Sequence, residues 1–249
     1  MIAAIEAVLE EYGPIGYKAT SIILKPNWAV GKKRIYRIMR EERLLCKKAR
    51  KYRVKTTNSD HKLPKYQNLI KDVKYTAVGQ AIVGDVTQFS IQGKDAFLAL
   101  LTDLYNREIV GYAVARRNDT NLVATALQRA LATRGDLSNC IHHTDADVRY
   151  CSHAYTNILK AAGMQISMVC GNVYENAHAE SVNKTLKYKL INLTDFETLA
   201  EADMAIRRYI EFYNYLKPHT SLGWLTPIAY AAKNRGTEKL QKMIPILRG

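Results

Sequence analysis

The stretch that most restricts the fold of this 249-residue chain runs from Thr76 to Val169, where closely spaced β-rich runs give way to alternating helical and β-rich segments. AIVGDVTQFSI (81–91), KDAFLALLTDLY (94–105) and EIVGYAVARRN (108–118) follow one another with only short turns between, the second at Asn106-Arg107. Connections that short join antiparallel neighbours, so the three runs predict a meander. A helix is expected over Asn121–Thr133, with Leu122, Ala126, Leu127, Ala130 and Leu131 on its apolar face. A short strand (CIHHTD), a helix over His153–Ala162 and a strand (QISMV) come next. After the loop CGNVYENAH, two long helices are expected over Asn176–Asn192 and Thr198–Leu216. The order β-β-β-α-β-α-β-α-α predicts an α/β fold with a mixed sheet flanked by helices.

The first 45 residues read differently. One helix covers Ile2–Tyr12 and stops at Gly13-Pro14, and a second lies around Tyr17–Leu24 and ends before Pro26. A third follows Gly31, with Ile35, Ile38, Met39 and Leu45 on its apolar stripe and Lys32, Lys33, Arg34, Arg37 and Arg40 crowding its start and polar side. Short helices with the most basic one last resemble a helix-turn-helix, whose second helix enters the major groove. The alternative is a helical hairpin that only packs on the core. Charge favours the former. The chain carries a net +14, and residues 1–75 hold 18 Lys and Arg against 7 Asp and Glu, whereas residues 76–249 hold 19 against 16. A surplus that local points to a polyanion such as DNA. Residues 47–75 are polar and basic without a sustained period, the texture of a linker that could lie along a phosphate backbone. The segments expected are therefore 1–46, 47–75, a core over 76–232 and a tail over 233–249. No run approaches the roughly 18 apolar residues of a membrane span, and the N-terminus lacks a signal-peptide pattern, so an intracellular protein is expected. The four cysteines lie far apart, as isolated thiols rather than a zinc site or disulfide framework.

Three carboxylates stand out. Asp85 lies inside the apolar run Ile82-Val83-Gly84-Asp85-Val86, where a charge is costly without a partner. Gly84 beside it permits a close approach by backbone or ligand. Asp145 closes the strand IHHTD at its carboxyl end, where open sheets place ligands. Glu180 lies on a helix whose Val182, Leu186, Leu190 and Leu193 form the buried side, while Lys184 and Lys187 fall within about 40° of Glu180. Carboxylates beside phosphate-seeking lysines suit metal-dependent chemistry on a nucleic-acid backbone. Two magnesium ions about 3.5–4 Å apart can activate the attacking oxygen and stabilise the leaving one. Each residue also has an ordinary reading, as a turn, cap or solvated side chain. Asp147 rivals Asp145 as the second ligand. His142 and His143 are adjacent on a strand and face opposite ways, which favours structural roles. His219 could stabilise a turn or touch DNA. Asp103, before the Tyr105–Glu108 turn, reads as structural, and Ile206, Tyr209, Ile210, Tyr213 and Leu216 read as a packing stripe.

At these residues the chain resembles the DDE transposases of bacterial insertion sequences, with a retroviral-integrase-like, ribonuclease H-like core. It is most similar to the class encoded by two overlapping reading frames, as the second-frame product. The match is carried by GDVT (84–87), HHTDADVRYCS (142–152), NVYENAHAESVNKTLK (172–187) and YIEFYNYLKPHTSLGWLTP (209–227), with GYKATSIILKPNWAVGKKRIYRIMREERLL (16–45) resembling the helix-turn-helix segment. The resemblance implies Asp85, Asp145 and Glu180 as a catalytic, metal-binding triad using two Mg2+ ions, with Mn2+ as a substitute. It implies DNA contacts from Asn176, Lys184 and Lys187 beside those of Lys33, Arg34 and Arg37. It further implies terminal inverted repeats and target DNA as substrates, a dimer or larger assembly on paired ends, a fusion to an upstream-frame DNA-binding product, and a cytoplasmic, nucleoid-associated protein. The chain departs from the family in having Asp147-Val148-Arg149 where Gly-x-Gln is usual, in lacking a Trp before the first Asp, and in the 34 residues between Asp145 and Glu180, one fewer than usual.

Overall fold

The three β-rich runs form β1 (Ala81–Ile91), β2 (Lys94–Asp103) and β3 (Ile109–Ala115), paired antiparallel as their short turns require. Gln92 and Gly93 turn the chain between β1 and β2 with φ values of 53° and 72°. Two left-handed residues in a two-residue loop give the twist that matches paired strands. On the other side of β1 lie β4 (Ile141–Thr144) and β5 (Gln165–Met168), both parallel additions, so the sheet order is β3-β2-β1-β4-β5. The computed structural model describes residues 1–13, 15–45, 60–169, 182–183, 185–187 and 190–234.

Helix α4 (Thr120–Arg134) covers β3 and β2. Asp119 caps it by accepting the Leu122 N–H at 3.1 Å, a bond that contributes about 1 kcal/mol at such positions. Its Leu122, Val123, Ala126, Leu127 and Ala130 are buried. Gly111 on β3 makes room for this helix: a Cβ there would stand 2.3 Å from the Ala126 carbonyl oxygen. The one-turn α5 (Val148–Cys151), absent from the sequence expectation, and α6 (His153–Ala161) complete the layer. Tyr150, Tyr155 and Leu159 thereby share one core with Ile82, Val86 and Leu101. Ala81 and Val83 face away from this layer, into a smaller cluster with Leu104, Ile70, Tyr75 and Ile141. On that second face Phe89 meets Phe196 edge-on at 6.4 Å between centroids.

Residues 60–75 hold to this sheet. The Met168 N–H donates to the Gln67 carbonyl at 3.3 Å, the Leu69 N–H to Ser167 Oγ at 2.8 Å, and Leu63 and Tyr66 pack against the large core.

The chain divides into two compact units, the sheet-bearing one drawn from Tyr52–Thr185 and Asp195–Met204, the other from Met1–Lys51, Leu186–Thr194 and Ala205–Gly249. In the latter, α1 (Ile2–Tyr12), α2 (Tyr17–Leu24) and α3 (Lys32–Glu41) bury Ile5, Val8, Tyr12, Leu24, Ile35 and Met39. Tyr12 stacks on Phe212 at 4.8 Å, from the later part of α7 (Leu199–Tyr215), whose Ile206, Tyr209, Ile210 and Tyr213 are buried as the apolar stripe predicts. The third helix is shorter than its sequence stripe. Arg43 takes a φ of 56°, and N–H bonds from Leu44 to Met39 (2.8 Å) and from Arg43 to Arg40 (3.3 Å) close α3 at Glu41, so Leu45 lies beyond it. The helix expected to run to Asn192 also stops early: Leu190 is in a turn and Ile191–Leu193 forms a single 3-10 turn, where β-branched Ile191 and Asn192 weaken helical preference. Pro227–Asn234 forms α8. Among the described residues no helix is long and apolar enough to cross a membrane.

Candidate active site

β1 pairs with β4 only at Ala81↔Ile141, Ile82↔His142 and Val83↔His143. Two rungs further, the same parallel register sets Asp85 opposite Asp145, the residue after β4. Neighbouring strands lie about 4.8 Å apart, and side chains at one register position share a face. The extended register therefore puts Asp85, midway along β1, level with Asp145 just past the carboxyl end of β4, beyond the last β1–β4 pair, in the kind of position where open sheets bind ligands. Both are partly exposed. Buried Tyr150 ties them together electrostatically. Burial chiefly holds its phenol well above the ordinary pKa, and the charges of Tyr155, Asp145 and Asp85 raise it further against the opposing Arg149.

Asp85 is held at both oxygens. Oδ1 accepts the Val86 N–H at 2.8 Å, and Oδ2 accepts the side-chain amide of buried Asn183 at 2.7 Å. The sequence analysis missed Asn183. On a helix it falls between the Leu186 side and the Glu180 side, so the local sequence does not announce its burial, and once buried its amide needs a bonded partner.

The histidines serve the scaffold. Tyr155 Oη and His142 Nε2 are bonded at 2.8 Å, and Ser167 Oγ and His143 Nδ1 at 2.8 Å. Burial, then the charge of His143, pushes His142 down to about 3, and burial pushes His143 down to about 4. Gly84, expected to admit a backbone or ligand, instead makes room for side chains: a Cβ there would meet Leu101 Cδ2 at 2.9 Å and Thr144 Cγ2 at 3.2 Å. Asp147, the rival of Asp145, is buried. It caps α5 through the Arg149 N–H at 3.0 Å and forms an ion pair with the Arg149 Nε.

Away from this site, Asp103 is structural as expected. It accepts the N–H groups of Gly79 (2.7 Å) and Tyr105 (2.9 Å), and Arg134 reaches both it (3.5 Å) and Glu108 (2.6 Å). His219 has its ring edge-on to Tyr213 at 4.5 Å and its Nε2 3.3 Å from the Tyr213 carbonyl oxygen, beside a backbone bridge to Leu225, which supports the turn role. Lys33, Arg34 and Arg37 are exposed on α3. Lys187 is partly buried, which lowers its pKa. Cys140 and Cys151 are buried free thiols. Asn176, Glu180, Lys184, Cys46 and Cys170 lie outside the described residues.

The donors suit a hard divalent cation. Carboxylate oxygens are the preferred ligands of magnesium, and a carboxylate oxygen that accepts a hydrogen bond can still bind a cation. Among the described residues the acidic, histidine and cysteine side chains do not form a cluster of three metal ligands.

The integrase core domain family matches residues 76–171, and a second integrase core domain family matches 163–227. The chain is 39% identical over 207 residues to an uncharacterized 31 kDa protein of insertion element IS600 from Shigella sonnei, spanning 82% of this chain and 76% of that one. It is 34% identical over 230 residues to the transposase for insertion sequence element IS904 of Lactococcus lactis, spanning 90% of both. With the putative transposase InsK for IS150 of Escherichia coli the identity is 30%, over 89% of this chain and 78% of that one. Its fold is that of a chain in the simian T-cell lymphotropic virus intasome, with a TM-score of 0.55 at 15% identity over 91% of this chain and 74% of the other. The HTLV-2 integrase catalytic core in complex with magnesium gives 0.50 at 15% identity, over 62% of this chain and 97% of the other. These structures share the mixed, ribonuclease H-like sheet. By its similarity to the insertion-sequence proteins, the chain belongs to the DDE-type insertion-sequence transposases, polynucleotidyl transferases built on an integrase core.

Proposed function

We propose that the protein cleaves the 3′ ends of an insertion sequence and joins them to target DNA in a magnesium-dependent reaction at Asp85, Asp145 and Glu180. One observation carries this reading: the parallel register of Ala81–Val83 with Ile141–His143, continued two positions, aligns Asp85 on β1 with Asp145 just past β4. Like charges placed that close repel, and a divalent cation between them relieves the repulsion. If residues 180–183 are helical, as the sequence predicts, Glu180 lies about 60° around the helix from Asn183, which favours a third carboxylate near Asp85.

Two bound magnesium ions, with manganese as a substitute, would supply Lewis-acid stabilisation of an in-line displacement at phosphorus. The chain's own groups set the site. The Val86 N–H and the Asn183 amide orient Asp85, and the neutral phenol of Tyr150 lies close enough to feel both aspartates without adding charge. Water is the first nucleophile and the freed 3′ hydroxyl the second. Lys33, Arg34 and Arg37 on α3 are assigned to DNA, with Asn176, Lys184 and Lys187 placing the reacting strand. Residues 1–46 would bind the terminal inverted repeats, 47–75 would link them to a catalytic segment over 76–232, and 233–249 would form a tail. A dimer or larger assembly would hold paired ends, working on the nucleoid in the cytoplasm, with or without fusion to an upstream-frame product.

The test is incubation of the purified protein with candidate terminal repeats, target DNA and magnesium. Nicked 3′ ends and joined products are expected, with Asp145→Asn and Glu180→Gln abolishing both and leaving DNA binding intact. Joining by Asp145→Asn would overturn the assignment, and cleavage without joining of a pre-cut 3′ end would identify a nuclease instead.

A further inference from the structure

The loop that carries Asp145 is tied down from three directions. Before it, Thr144 Oγ1 donates to the Asp145 carbonyl oxygen at 2.9 Å. In its middle, the Ala146 carbonyl oxygen accepts from His61 Nε2 at 3.0 Å. After it, the Asp147 carboxylate caps α5 and binds the Arg149 guanidinium, whose Nη1 donates to Asn118 Oδ1 in the turn between β3 and α4. Asp147 is 1% exposed and Arg149 5% exposed. A guanidinium that deeply enclosed is out of reach of a DNA phosphate, so its partners inside the protein define its use. It lies 5.9 Å from the Tyr150 ring centroid, next to the side chain that feels both aspartates. Burial alone would lower the Arg149 pKa. The hydrogen bond and charge of Asp147, followed by the charges of Tyr150 and Asp145, reverse that and raise it.

We infer that Arg149 is a positioning residue for the catalytic loop: with Asp147 and Asn118 it forms a buried clamp that fixes where Asp145 presents its carboxylate to the metal. The inference rests on the proposed metal role of Asp145. Its physical content is that metal affinity depends on a cation that never touches the metal. Groups that orient a ligand from outside the coordination sphere typically alter affinity about 10- to 100-fold when removed. The pair is also coupled, because taking away Arg149 alone leaves the Asp147 carboxylate buried beside Asp145.

The experiment measures Mn2+ binding to the full chain without DNA, by titration calorimetry, alongside the melting temperature of the metal-free protein. Arg149→Lys keeps the charge and cannot span both Asp147 and Asn118. It should fold and bind Mn2+ about fivefold or more weakly, below the full range for losing an orienting group. Arg149→Gln should lose about 10- to 100-fold or fail to fold. Asp147→Asn with Arg149→Gln keeps the helix cap and removes the stranded charge, and should bind more tightly than Arg149→Gln or regain the folded state. Unchanged affinity in Arg149→Lys, or a double variant no better than Arg149→Gln, overturns the inference. Asp145→Asn separates the two readings. If it leaves Mn2+ binding intact, the metal site itself is wrong; if it removes binding and Arg149→Lys does not weaken it, only the clamp is refuted.

Discussion

Arg134 shows how strongly the sheet depends on charge pairing at β2 and the turn that follows it. Its guanidinium lies 2.6 Å from Glu108 and 3.5 Å from Asp103, and none of the three side chains is more than 14% exposed. Arg134→Met retains much of the aliphatic packing and removes the charge. Taking one partner from a buried ion pair costs about 3–5 kcal/mol. Asp103 keeps two backbone N–H bonds and Glu108 keeps the Asn106 amide at 2.9 Å, so the lower end of that range, about 3 kcal/mol, is expected near neutral pH. The pH dependence distinguishes charge from lost packing. Burial raises the pKa of both carboxylates, outweighing their hydrogen bonds and Arg134. A carboxylate whose folded value stands above its unfolded value contributes stability at low pH and loses it as the pH rises through the folded value. Removing Arg134 lifts both values further, so the deficit should grow from about pH 4 towards neutrality. Urea unfolding followed by far-UV circular dichroism is the appropriate assay, since both tryptophans, Trp28 and Trp224, belong to the other unit. A deficit below about 1 kcal/mol at neutral pH, or equal deficits at about pH 7.5 and 4.5, would refute the electrostatic account.

Asn183→Ala should raise the magnesium concentration for half-maximal strand transfer about 10- to 100-fold, and an unchanged requirement would show that the 2.7 Å bond does not position Asp85. Gly111→Ala forces α4 off β3 and should destabilise the protein by about 1–3 kcal/mol, read as a lower urea midpoint; a neutral outcome would mean the helix shifts freely. His142 and His143, pushed down to about 3 and about 4, take up fewer protons folded than unfolded. Stability should therefore fall as the pH drops below about 6.5, and His143→Gln should make the melting temperature fall less steeply between about pH 6.5 and 4.5.

The strand runs and their antiparallel order were legible because period and turn length are local signals. Arg43 and Leu45 show where local reading stops. An apolar stripe continued past Glu41, yet the chain closed the helix with a non-glycine residue at positive φ, which composition does not announce. Asp147 was a plausible ligand by sequence, and only its enclosure with Arg149 and Asn118, the latter distant in the chain, shows it engaged elsewhere. Asn183 was hidden for the same reason, since its partner lies 98 residues away. The packing of Tyr12 on Phe212 joins opposite ends of the chain, a pairing that no periodicity encodes.

Gln67 and Leu69 supply the outer neighbours of β5, and the hydroxyl bonded to Leu69 is also the partner of His143, two residues before Asp145. A fragment trimmed to begin at Thr76 would leave the outermost strand with bare amides, a template on which another copy can grow. It would also strip Leu63 and Tyr66 from the apolar interior. Anyone seeking a minimal crystallisable piece of this enzyme should cut upstream of residue 60, because the upstream stretch seals the sheet that the catalysis stands on.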